Sequence, residues 1–114
     1  IAAYPDIGRW AIGGHSLGGA MAAQYAFDNP ATMNGLALWA AYPAGGSDLA
    51  GADVAVSSIY GSVDGVATPD QVLAGAPLLP ADTVWVEIIG GKIVCIQMRE
   101  KRSTSFTIIA LNAM

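Results

Sequence analysis

The sequence predicts an α/β domain, a parallel sheet of about four strands joined by crossover helices. Two observations carry this. Apolar runs of strand length recur along the chain, and segments rich in helix formers or opened by proline alternate with them. Alternation at this spacing calls for parallel pairing, because parallel neighbours need a connection long enough to hold a helix. The runs are nearly unbroken in their apolar character, which implies strands covered on both faces. Crossovers are expected to be right-handed.

In chain order, residues 9–13 (RWAIG) read as a buried strand ending in Gly13-Gly14. Residues 17–27 (LGGAMAAQYAF) are rich in alanine and read as a helix stopped by Asn29-Pro30. Residues 35–41 (GLALWAA) are a second strand, and 44–52 a loop or a short helical turn. Residues 54–60 (VAVSSIY) are a third strand, rich in β-branched side chains. A loop over 61–69 leads to a short helix over 69–74, with Thr68 as N-cap and Pro69 at the first helical position. Pro77 and Pro80 then break the chain, and residues 83–89 (TVWVEII) form a fourth strand. Gly90-Gly91 followed by residues 92–98 (KIVCIQM) is a hairpin signal. It suggests a C-terminal β-hairpin that extends the sheet, with residues 106–111 (FTIIAL) as a further strand.

Composition bounds the function. At 114 residues the chain is one domain, and with 54% hydrophobic and 12% charged residues it has the apolar content for a core. A net charge of −4 argues against a basic groove for nucleic acid. No apolar run reaches the roughly 18 residues of a membrane span. One cysteine, Cys95, excludes an internal disulfide and a multi-cysteine metal site; one histidine, His15, excludes any mechanism needing two. No signal peptide is evident, which with a single cysteine fits a cytoplasmic protein. The missing initiator Met suggests that the beginning of the chain lies upstream of Ile1.

Charge and backbone chemistry change abruptly after Gly91. Residues 1–91 hold one basic residue, Arg9, eight of the nine acids, and every glycine and proline. Residues 92–114 hold Lys92, Arg99, Lys101 and Arg102 against Glu100, with no glycine or proline. The expected division is a core over 1–91 and a basic tail or hairpin over 92–114. A tail of different coding origin, such as a shifted frame, accounts for the same change.

One motif carries chemistry. Gly14-His15-Ser16-Leu17-Gly18-Gly19 fits G-x-S-x-G, preceded by a strand and followed by a helix. A nucleophilic serine has to project from a sharp, strained strand-to-helix turn. Small residues two before and two after it, Gly14 and Gly18, let strand and helix approach, with His15 packed beside the turn. The hydroxyl then lies at the helix N-terminus, where the Leu17 N–H can face a developing oxyanion. An ordinary glycine-rich turn, cradling an anion or nothing, is the plainer alternative.

With these residues in view, the stretch from Ile1 to Gly91 resembles the C-terminal half of an α/β-hydrolase of the small bacterial type related to dienelactone hydrolases. The matching pieces are AAYPDIGRWAIGGHSLGGAMAAQYA, GLALWAAYPAGG, IYGSVDGVATPDQV and VWVEIIGG. The resemblance implies a partial α/β-hydrolase fold and esterase-like acyl transfer on a small ester-like substrate, with no metal and no cofactor. It implies Ser16 as nucleophile, Leu17 as half of the oxyanion hole, and Asp64 as the acid that orients and charges an imidazole. Read from its neighbours alone, Asp64 before Gly65 is turn chemistry.

Two departures from the family pattern bear on activity. The family places its histidine just after a Gly-Gly pair, in a G-G-N-H-like segment; here Gly90-Gly91 is followed by Lys92 and Ile93, and no histidine follows His15. His15 neighbours Ser16, and adjacent side chains diverge. Lys92 is protonated at neutral pH and reads as a surface charge, and Cys95 in its apolar run reads as a buried thiol. Activity is therefore expected to be weak or absent. A non-catalytic fragment or pseudoenzyme that binds a small ligand or partner is the alternative, and a thiol enzyme using Cys95 a third. The second departure is that the family's first strands are missing, with the loop that gives the second oxyanion donor. The strand at 9–13 is then expected at an open edge, with homo-oligomerisation through it. Trp10, Trp39, Tyr42 and Trp85 fit core and pocket equally.

Overall fold

The computed structural model describes residues 3–91 and 106–111. The elements run β1 (Arg9–His15), α1 (Leu17–Asp28), β2 (Met33–Trp39), β3 (Ala55–Gly61), α2 (Pro69–Leu73), a 3-10 turn (Ala76–Leu78), β4 (Val84–Ile88) and β5 (Phe106–Leu111). They build one five-stranded sheet in the order β4-β3-β2-β1-β5. β1, β2, β3 and β4 pair in parallel, and β5 runs antiparallel to β1. The α/β class and the four parallel strands are as the sequence predicts.

The core follows the two-residue period of the strands. Ile12 on β1, Leu36 and Leu38 on β2, and Val56 on β3 share one face and are each at most 3% exposed. Burying such a side chain contributes about 1.5–3 kcal/mol. α1 lies on this face through Gly18, Gly19, Ala22, Ala23 and Ala26. These recur at helical spacing, so the contact stripe is made only of glycine and alanine and the helix backbone sits close to the sheet. Ala40 after β2, Tyr60 on β3, Ala67 in the loop before α2 and Val72 on α2 form a second cluster, and Trp85 packs against both. Trp10 belongs to the core. α2 begins with the expected device: Thr68 Oγ1 accepts the Gln71 N–H at 3.3 Å, and Gln71 Oε1 accepts the Thr68 N–H at 3.2 Å.

Three expectations need correction. The first concerns coverage of the sheet. Among the described residues, helices cover one face only. Val84, Val86 and Ile88 register with Ser57, Ile59 and Gly61 on the other face and are 43–56% exposed. An apolar run alone does not show how many faces are covered. The second is the edge. β1 is interior, because β5 pairs with it from Arg9↔Leu111 to Gly14↔Phe106. An unpaired strand presents a row of N–H and C=O groups, and an antiparallel strand satisfies them without a crossover helix. The open edge expected at β1 is therefore occupied, and β4 and β5 are the edge strands. The third is the place of the last strand. Residues 106–111 do form a strand, at the edge opposite β4. The predicted strand over 92–98, Lys92 and Cys95 lie outside the described residues.

Among the described residues no helix is long and apolar enough to cross a membrane, and no group of three or more His, Cys, Asp or Glu could hold a metal ion.

One polar atom in the core stands apart. Ser58 Oγ on β3 is buried with no hydrogen-bond partner among the described residues. A buried hydroxyl without a partner costs about 1–3 kcal/mol. Ser58→Ala is therefore expected to raise the thermal midpoint by a few degrees. A fall in the midpoint on thermal denaturation would show that the hydroxyl contributes a favourable contact.

Candidate active site

The turn between β1 and α1 is set by glycine backbones in contact. A Cβ placed on Gly14 would collide with the carbonyl group of Gly18 and lie 2.6 Å from the Gly19 nitrogen. One on Gly19 would collide with the Ala41 Cβ and lie 2.7 Å from the Gly14 oxygen. The end of the strand and the first turn of the helix therefore touch backbone to backbone. Gly14 and Gly18 meet as the motif implies. Gly19, which the two-before, two-after reading passes over, shares the contact; its signal was the glycine doublet.

This closeness forces a tight reversal at Ser16. Its φ is +53° and its ψ −123°, a conformation L-residues rarely adopt. The backbone around it is held on both sides. The Ser16 N–H donates to the Trp39 carbonyl at the end of β2 (3.0 Å). The Ser16 carbonyl accepts from Gly19 (3.0 Å) and Ala20 (3.2 Å), which starts α1. The side chain is exposed and makes no capping hydrogen bond, although serine at this position commonly caps. The hydroxyl is thus presented outward at the positive end of a 12-residue helix. Leu17 is the first residue of α1, where a backbone N–H has no intrahelical acceptor.

Ser16 and Leu17 form one wall of a cavity of about 320 Å³. Residues 40–42, after β2, form a second, and Val66 and Ala67 a third. His15, half-buried at the end of β1, does not line it. Tyr42 therefore belongs to the cavity wall. Trp39 does not: its ring covers Gly13, where a Cβ would come within 2.7 Å of it. Ala40 has φ +48°, so Ser16 and Ala40, the two non-glycine residues at positive φ among the described residues, face the same cavity. Strained backbone gathers where function is carried.

Asp64 lies in the loop after β3 and is 7% exposed. Its Oδ1 accepts the N–H groups of Val66 (2.9 Å) and Ala67 (3.1 Å). The carboxylate thus shapes the very loop that forms the third wall. The turn chemistry read from Asp64-Gly65 is present, and it connects Asp64 to the cavity. The same loop is tied to the end of β4. The Ser62 N–H donates to the Ile88 carbonyl (3.0 Å), the Val63 N–H to the Gly91 carbonyl (3.1 Å), and the Gly90 N–H to Ser62 Oγ (2.7 Å). Gly90 takes φ +72°, which glycine tolerates. The Gly-Gly pair is thereby held beside the Asp64 loop.

The strain at Ser16 is measurable. Ser16→Gly removes the Cβ that this φ disfavours and loses no capping bond and little burial. It is expected to stabilise the fold by about 1 kcal/mol. Ser16→Ala retains the Cβ and is expected to stay within about 0.5 kcal/mol of the parent. Urea unfolding of the three proteins checks this; a Gly variant less stable than the Ala variant would contradict the strain.

Comparison with known proteins agrees with this architecture. No curated protein and no solved structure matches the chain. Residues 1–96 match the alpha/beta hydrolase family, so the match covers both the strand-turn-helix around Ser16 and the Gly90-Gly91 segment. The chain belongs to the alpha/beta hydrolase family.

Proposed function

We propose that the cavity at Ser16 is the acyl-transfer site of a serine hydrolase of the dienelactone-hydrolase-related kind, acting on small ester-like carbonyl compounds. The observation that carries this is the state of Ser16: exposed, held at positive φ, uncommitted to capping, and on the cavity wall. In this reading Ser16 Oγ attacks the carbonyl carbon. The carbonyl oxygen gains charge next to the Leu17 N–H and the N-terminus of α1, where oriented dipoles stabilise it. A base takes the serine proton and returns it to the departing alcohol, leaving an acyl-serine that water hydrolyses. Asp64 orients that base.

The base is what this sequence does not supply in the family position. Its one histidine, His15, is not among the cavity-lining residues. The loop bonds between residues 61–64 and 88–91 bring the Gly-Gly pair to the Asp64 loop. The residue that should act as base therefore follows Gly91, where Lys92 and Ile93 stand. We take this chain to carry nucleophile, oxyanion donor and acid without a base, and its turnover to be weak. The same observation favours a second reading, a non-catalytic module that binds a small ligand in the cavity.

Hydrolysis of p-nitrophenyl butyrate separates the two. The unmodified chain is expected to exceed Ser16→Ala by a small factor at most. Replacing Lys92→Asn together with Ile93→His restores a G-G-N-H segment. It is expected to raise the Ser16-dependent rate by about 100-fold or more, the usual yield of a positioned general base. If the restored variant hydrolyses no faster than Ser16→Ala, the catalytic reading fails and the binding module stands.

A further inference from the structure

The walls of the cavity say what it accepts. Apart from Ser16, Leu17, Tyr42 and Val66, every lining residue is an alanine: Ala20 on α1, Ala40, Ala41 and Ala44 after β2, and Ala67. No charged side chain lines it among the described residues. Its mouth carries exposed apolar side chains, with Leu17 59%, Tyr42 41% and Val66 85% exposed. About 320 Å³ is near the lower end for ligand cavities. At roughly 30 Å³ per water-sized group it holds about ten heavy atoms.

We infer that the cavity binds small, uncharged carbonyl compounds with a short hydrocarbon arm, and that Ala20 and Ala44 set the length of that arm. This deepens the serine-hydrolase reading by naming its substrate class, but the ligand preference does not depend on turnover. Methyl groups give the ligand dispersion contacts and removal from water. Among the described residues that would line the arm they offer a carboxylate or ammonium no partner, so a charge at the far end of the arm, away from the α1 N-terminus, loses hydration without compensation. The alanines differ in what they also do for the fold. Ala41 abuts Gly19, and Ala40 is buried at strained φ, so neither tolerates enlargement. Ala44 is exposed in the loop after β2, and Ala20 is half-buried on α1. A larger side chain at either can grow into the cavity without displacing the core.

The test is protein-observed NMR with 2-pentanone, 2-heptanone and 2-nonanone as unhydrolysable neutral probes, and 6-oxoheptanoate as the anionic counterpart of 2-heptanone. Saturable shifts are expected at Leu17, Ala41, Val66 and Ala67, with 2-heptanone at least tenfold tighter than 6-oxoheptanoate. Ala44→Phe is expected to weaken 2-heptanone at least tenfold while affecting 2-pentanone less; Ala20→Leu repeats the measurement from the helix side. Equal affinity for the anion overturns the inference, as do shifts confined to other regions or an unchanged chain-length profile in both folded variants. Binding is read here without hydrolysis. Ketone binding without ester turnover by the Lys92→Asn, Ile93→His variant would therefore sink the catalytic reading alone, whereas ester turnover by that variant without the ketone preference would sink this one alone.

Discussion

Everything at this site depends on one steric constraint, the backbone contact between Gly14 at the end of β1 and Gly18 and Gly19 at the start of α1. No side chain fits between them. The chain must therefore leave the sheet and enter the helix within one residue, and Ser16 absorbs the turn at φ +53°. The same closeness brings α1 onto the sheet through glycine and alanine alone and seats Gly19 against Ala41, which fixes the loop after β2. The cavity is the space left where these elements part.

The C-terminal ends of the parallel strands form a second level of organisation. In open α/β sheets this is where ligands collect, because the connections diverge there and helix N-termini face the gap. Here that edge holds the strained residues Ser16 and Ala40, the buried Asp64 with its loop, and the Ser62–Gly90 tie. Asp64 has a double position in this account. It organises its own loop through two backbone N–H groups, and that loop forms a cavity wall.

Much of this was legible in the sequence because glycine and proline mark geometry. Gly13-Gly14 and Asn29-Pro30 bound the first strand and helix, and Thr68-Pro69 marks the start of α2; each lies where the structure has it or within a few residues. What was not legible has a physical cause. An apolar run does not report how many faces of a strand are covered, so the face of β3 and β4 that no helix covers among the described residues went unseen. Local sequence does not encode which edge a late strand joins, so β5 was not expected beside β1. Alanine does not advertise positive φ, and Ala40 escaped for that reason. The cavity walls are small apolar residues from three separate segments, and only the fold brings them together.

The central proposal is that Ser16, held at positive φ at the N-terminus of α1 and exposed on the cavity wall, is set apart from the other serines of the chain. Reaction with a fluorophosphonate, with the adduct mapped by peptide mass spectrometry, addresses it most directly because it reads the nucleophile without requiring turnover. The account predicts slow labelling confined to Ser16 in the folded protein and lost in urea. Equal labelling of several serines, or none at Ser16 while others react, would contradict it.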